Sequence, residues 1–187
     1  MFGRGNMRNV DLNRDFPSQY SPLKQLNNGT IVDMFYGRQP ETIAIMKWIL
    51  KENFVLSANL HGGSLVASYP YDETMYHTDN TYGESPDDSL FRYLARIYAK
   101  KHLVMSKQGG CAGEFQDGIT NGAKWYDVPG GMQDFNYLHS NAFEITLELS
   151  CCKYPSANDG TLGKEWDNNR EALLTYMEMV EICFCFQ

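Results

Sequence analysis

The chain has 187 residues, 43% hydrophobic and 21% charged, which excludes a disordered, collagen-like or coiled-coil polypeptide and fits one domain with its own core. Such a length can bury roughly 70% of the unfolded surface. The formal net charge of -7 argues against a general nucleic-acid-binding role. No apolar run is long enough to span a bilayer, and the N-terminal sequence MFGRGNMRNVDLNRDF lacks the apolar stretch of a signal peptide.

The first forty residues, rich in Asn, Gly, Pro and Arg, read as loop. They contain Asn28-Gly29-Thr30, a glycosylation sequon that weakly favours a secretory context. Gln39-Pro40-Glu41-Thr42 opens a helix, because proline suits the first turn and Glu41 complements the dipole. Ile43, Met46, Trp48, Ile49 and Leu50 give this helix a broad apolar face up to Glu52. The apolar run 54–60 predicts a buried strand ending at His61-Gly62-Gly63. Residues 66–85 read as loop. Ser85-Pro86 predicts an N-cap and first turn, followed by helical spacing of Leu90, Tyr93, Leu94, Ile97 and Tyr98 to about Lys101. A second glycine-rich loop covers 107–134, a strand covers 142–149 and a helix 164–182. Helices alternating with buried strands predict an α/β fold with a mixed, mostly parallel sheet. In such sheets binding groups gather beyond the carboxyl ends of strands, where His61 and Glu148 fall.

His61 ends an apolar strand and precedes two glycines that admit a close approach of ligand or backbone. It reads either as a metal ligand or catalytic base, or as a hydrogen-bonded histidine at a strand end. Alternation puts Glu144 and Glu148 on one strand face. Two carboxylates there imply either a solvated edge strand, or a general base beside a structural carboxylate. Asp11-Leu12-Asn13-Arg14-Asp15 places an amide beside a guanidinium, a pairing that suits a carboxylate or simply a salt-bridged surface loop. Residues 125–134, WYDVPGGMQD, form an aromatic, glycine-flanked loop whose Tyr126 either closes over a ligand or packs on the surface. The five cysteines (Cys111, Cys151, Cys152, Cys183, Cys185) show no repeated C-x-x-C pairing, so a structural zinc site is not indicated.

Taken together and in order, these stretches resemble the zinc metallocarboxypeptidases, in particular the branch containing carboxypeptidases D, E, M and N. The resemblance is carried by GRGNMRNVDLNRDFP, QPETIAIMKWI, FVLSANLHGGSLVASYPYD, DGITNGAKWYDVPGGMQDFNY and FEITLELSCCKYP, from Gly3 to about Pro155, with the last helix. It implies that His61 is a zinc ligand, Glu148 the general base on the zinc-bound water, and Arg4 the oxyanion stabiliser. It implies that Asn13 and Arg14 clamp the substrate's terminal carboxylate and that Tyr126 caps the bound residue. Asp72 would select C-terminal Lys or Arg, with Gln133 in the same pocket. It also implies a secreted or secretory-pathway setting, peptide or protein substrates ending in Lys or Arg, and a disulfide from Cys151 to Cys111.

Two features depart from the family pattern. The family's H-x-x-E ligand pair is absent, since His77, His102 and His139 all lack that spacing. One histidine cannot make a three-ligand zinc site, so weak zinc binding is expected. Asp15 also stands where the family has Asn after the Asn-Arg pair. The chain therefore reads as a partial catalytic domain over 1–182, with a tail at 183–187 that does not resemble the family. A peptide-binding pseudoenzyme and a non-functional truncated product are the alternative readings. Sheet edges and apolar faces are expected to be uncovered.

Overall fold

A computed structural model describes residues 4–20 and 33–181; the sequon at Asn28 and the tail with Cys183 and Cys185 lie outside the described residues. Helix α1 (Pro40–Lys51) starts with proline in its first turn, carries Glu41 at its positive end and Lys51 at its negative end, as expected. It buries Thr42, Met46 and Ile49, an i, i+4, i+7 stripe. The stripe is narrower than the sequence suggests, for Trp48 and Leu50 face outward. Strand β1 (Leu56–His61) ends at the predicted histidine.

Strand β2 (Ser64–Tyr69) is a correction, since most of it falls in the predicted loop 66–85. All six residues are buried, so the strand shows no polar/apolar alternation. Helix α2 (Asp88–Lys101) starts later than predicted, with Asp87 rather than Ser85 at its N-cap; the Ser85 carbonyl accepts the Asp88 N–H in a turn ahead of the helix. The region predicted as a long glycine-rich loop contains a 3₁₀ turn (Gln116–Gly118) and four further short elements. These are α3 (Met105–Gln108), β3 (Ile119–Asn121), α4 (Gly122–Trp125) and the start of α5 (Met132–Ser140). Strand β4 (Phe143–Ser150) and helix α6 (Thr161–Glu178) lie close to their predicted positions.

The sheet order is β1-β4-β2-β3. β1 runs parallel to β4 and β2 parallel to β3, while β4 and β2 are antiparallel, so the sheet is mixed. Ile145 and Leu147 of β4 pack with Leu65, Ala67 and Tyr69 of β2 against α2 and α6. α6 is fastened by polar contacts too: Tyr98 Oη donates to Asn169 Oδ1, and Tyr176 Oη donates to the Ser57 carbonyl. A second cluster joins Phe16, Met46 of α1 and Phe135 of α5. Cys111 and Cys151 form the disulfide that the family resemblance implies, 40 residues apart in sequence. Closing a loop of that size removes chain entropy worth about 4 kcal/mol in the unfolded state. Among the described residues Cys152 is exposed and has no disulfide partner.

β4 is an interior strand, which removes the solvated-edge reading of Glu144 and Glu148. Glu144 is fully buried and accepts hydrogen bonds from Ser57 Oγ and Asn136 Nδ2, while its Oε1 has no partner among the described residues. Burial pushes its carboxyl up to about 7, and the hydrogen bonds from Ser57 and Asn136 only partly oppose this. Between 4.5, its ordinary value, and about 7, native Glu144 keeps a proton that the unfolded chain has lost. The stabilisation is full below that window and is lost as pH rises through it, by about 3 kcal/mol. Urea denaturation from pH 4 to 8 checks this: Glu144→Gln is expected to flatten the decline by that amount. An unchanged decline would rule the proton out.

Candidate active site

The site grows from the register of β1 against β4, which pairs His61 with Glu148. Both stand at the carboxyl ends of parallel strands, with His61 Nδ1 3.8 Å from Glu148 Oε1. The chain then crosses the end of β4 through Gly62-Gly63, where the Gly63 N–H donates to the Ser150 carbonyl. Gly63 has φ +114, a conformation that side-chain-bearing residues rarely adopt. Lys153 Nζ donates to the Gly62 carbonyl, which brings a cation beside the histidine. Burial lowers the His61 pKa, and Lys153, Arg4 and Arg14 lower it further, so its imidazole is held neutral. Burial raises the Glu148 pKa, opposed by Lys153 and Arg4. Glu148 Oε2 is buried with no hydrogen-bond partner among the described residues.

The N-terminal segment folds over these strand ends. Gly5 bridges Asp11, and Asp11 accepts from Arg4 Nε and from the Asn13 N–H that starts a 3₁₀ turn over Leu12–Arg14. Asn13 Oδ1 accepts the Met132 N–H at the start of α5, and Asn13 Nδ2 lies 3.4 Å from His61 Nε2. Arg14 Nη1 donates to the Asn13 carbonyl. Asp15, the departure from the family pattern, is an anchor: its carboxylate accepts the Gln39 N–H at the head of α1.

Opposite this cation-bearing turn lies Asp72, 7% exposed. Its Oδ1 accepts from Gln133 Nε2 at 2.8 Å. Desolvation raises the Asp72 pKa, Arg14 opposes the rise, and Glu73 and Asp127 add to it. Gly122 makes room for this carboxylate, because a Cβ there would lie 1.8 Å from Asp72 Oδ1. Tyr126 is 38% exposed at the rim, with its ring edge-on to Trp125. Its neighbour Asp127 pins the facing loop by accepting from the Thr74 N–H and contacting His77 Nδ1 at 3.0 Å.

Arg4, Asn13, Arg14, His61, Asp72, Tyr126 and Glu148, all singled out from the sequence, line a single cleft, and Gln133 stands directly behind Asp72. The cleft also includes residues that the sequence reading passed over. Thr146 could have been found, since alternation places it between Glu144 and Glu148. Ser68 could not, because it lies on the unpredicted β2, and nothing local marks Gly122. Beside the cleft runs a broader groove of about 900 Å³ that shares Arg4, Asn13 and His61 and is walled by Leu60, Leu162 and Trp166.

One side of this cleft offers fixed cations and an amide, which suit a carboxylate, while the other offers a buried carboxylate, which suits a cation. Among the described residues no group of three His, Cys, Asp or Glu is arranged to hold a metal ion. His61 is the one histidine in the cleft, and a catalytic zinc needs three protein ligands. The described residues therefore do not fit a complete zinc site.

The zinc carboxypeptidase family profile matches residues 2–172, and the chain belongs to that family of enzymes. It is 51% identical over 186 residues to carboxypeptidase D of Mus musculus and 46% identical over 195 residues to the carboxypeptidase N catalytic chain of Homo sapiens. Each alignment covers 96% of this chain, but only 13% and 42% of the respective relative. The chain thus spans well under half the length of either relative. Among solved structures it resembles carboxypeptidase A from Helicoverpa armigera, with a TM-score of 0.63 at 16% identity, over 92% of this chain and 42% of that one. It also resembles bovine thrombin-activatable fibrinolysis inhibitor, solved with tick carboxypeptidase inhibitor, with a TM-score of 0.62 at 16% identity, over 100% and 61%.

Zinc content by elemental analysis after dialysis against trace zinc is expected to fall well below one ion per chain. About one tightly held ion per chain would show that other residues complete the ligand set.

Proposed function

We propose that this cleft is the substrate-recognition part of a carboxypeptidase that releases C-terminal Lys or Arg from peptides or proteins. The observation that carries the reading is that Arg14 and Asp72 line the same small cleft, with opposite charges. A C-terminal Arg or Lys residue has the matching pair, a terminal carboxylate and a side-chain cation. In this reading Asn13 and Arg14 hold the carboxylate, Arg14 through a bidentate pair that lysine could not reproduce. Asp72, supported by Gln133, receives the side-chain cation; an apolar side chain would leave that carboxylate buried and unpaired. Tyr126 at the rim closes over the bound residue.

Arg4 is assigned to the oxygen that gains charge at the scissile carbonyl, and Glu148 to the proton of an attacking water. His61 is assigned as one ligand of the family's zinc, the metal that would polarise the carbonyl and acidify the water. Since the described residues do not supply the other ligands, the property proposed for this chain by itself is binding of peptide C-termini. The Cys111–Cys151 disulfide favours an oxidising, secretory-pathway or extracellular setting. Among the described residues no helix is long and apolar enough to cross a membrane.

Calorimetric titration with benzoyl-Gly-Arg tests the reading. Binding is expected for the free acid, and Arg14→Ala is expected to weaken it by about 10- to 100-fold, the worth of a hydrogen-bonded charge pair. The amidated peptide, which has no terminal carboxylate, should bind the unaltered chain as poorly as the acid binds the variant. Equal heats for acid and amide would overturn the proposed carboxylate clamp.

A further inference from the structure

The Asp72 carboxylate is held from several sides, and two of the holding groups come from the first turn of α5. Gln133 Nε2 donates to Asp72 Oδ1. The next residue, Asp134, directs both carboxylate oxygens at the backbone N–H of Asp72, each at 2.9 Å. Asp134 is 3% exposed. An acidic residue in a first helical turn ordinarily serves its own helix, by the dipole or by capping. α5 has no side-chain cap hydrogen bond, and Asp134 instead grips a backbone group 62 residues away in sequence. Gly122 and Gly131 close around the carboxylate itself, since a Cβ on them would lie 1.8 Å from Oδ1 and 3.2 Å from Oδ2. Asp72 is thus fixed at its main chain by Asp134, at one oxygen by Gln133, and laterally by two glycine backbones.

This arrangement is electrostatically expensive. Asp134 and Asp72 are both buried, Asp72 disfavours ionisation of Asp134, and Glu73 disfavours ionisation of both. Against this cost, the Asp134 carboxylate accepts from two consecutive main-chain donors, the N–H groups of Asp72 and Glu73. An aspartate supplies two acceptor oxygens for these N–H groups and so fixes the main chain that carries the Asp72 carboxylate.

We propose that Asp134 is a positioning residue for cation selection: by holding the Asp72 main chain it aims the Asp72 carboxylate into the cleft, so preference for a C-terminal Lys or Arg depends on it. This rests on the proposed specificity for basic C-termini. Asp134 does not line the cleft, so its effect reaches the ligand through Asp72.

The test compares binding of benzoyl-Gly-Arg and benzoyl-Gly-Leu to the 187-residue chain by calorimetry. Asp134→Ala is expected to lower the Arg-over-Leu affinity ratio by about 10-fold and leave Leu binding unchanged, the scale of one charge-assisted hydrogen bond. Asp134→Asn, which keeps one acceptor oxygen, should recover most of the ratio and stay about 3-fold below the unaltered chain. A merely structural role would weaken both peptides equally, and that result overturns the inference, as does an unchanged ratio. If Asp134→Ala does not fold, the Asn variant decides by the same criteria. An unaltered chain with no preference for Arg would refute the basic specificity itself. A preference present in that chain and intact in both variants would refute only the role of Asp134.

Discussion

Burial of carboxylates with few cations to balance them is the constraint on which this molecule turns. Glu144, Glu148, Asp72 and Asp134 are all less than a tenth exposed. Each must be protonated, hydrogen-bonded or matched by something from outside. Glu144 is supplied from within by Ser57 and Asn136, and it ties β1, β4 and α5 together. Asp134 is supplied from within by the main chain of β2's continuation at Asp72. Glu148 and Asp72 differ because they line the cleft, and one oxygen of Glu148 has no partner among the described residues. The carboxylates divide accordingly into two that hold the scaffold and two that face whatever enters it.

The charge of the whole chain and the charge of the site have opposite tendencies. The protein is acidic overall, yet Arg4, Arg14 and Lys153 all act on His61, and together they help keep its imidazole neutral. Asp72, Glu73 and Asp127 concentrate negative charge at the other end. The cleft is therefore an oriented dipole rather than a uniform patch. On the proposed function, a ligand with only one of the two charges would leave one end uncompensated.

The sheet's ends were readable from the sequence because β1 and β4 are apolar runs of adequate length that stop at polar residues, His61 and Ser150. β2 was not, because a central strand buried on both faces shows no period, and Leu65–Tyr69 runs directly into a loop dense in Asp, Thr and Asn. α5 was hidden behind Gly130-Gly131, whose turn chemistry outweighs a nine-residue helical pattern. His61 and Glu148 were visible as polar residues at strand ends. Arg4, Asp72 and Gln133 acquired meaning only through family resemblance; Asp72 and Gln133 meet across 61 residues of sequence, and Arg4 reaches His61 and Glu148 only in the fold. Asp134 shows the limit most clearly, for no local pattern tells that a first-turn aspartate will bond a main-chain group on another element.

The outer edge of β1 brings these strands of argument together. In the observed order β1 has one neighbour, β4, so among the described residues its other side pairs with no strand. Leu60, Leu162 and Trp166 stand about half exposed there, along the groove that His61 also faces. Open edges are normally blunted by charge, proline or a bulge, and β1 carries none of these outside its terminal histidine. The half of the cleft from Asn13 to Asp72, proposed above to recognise substrate, is walled by packed elements, with Asn13 and Asp72 hydrogen-bonded to α5. The half around His61 opens onto apolar groove. Proposed recognition of a peptide end and completion of a metal centre are thus separable demands on this fold: the described residues line a cleft of opposite charges for the first and offer the second a single histidine.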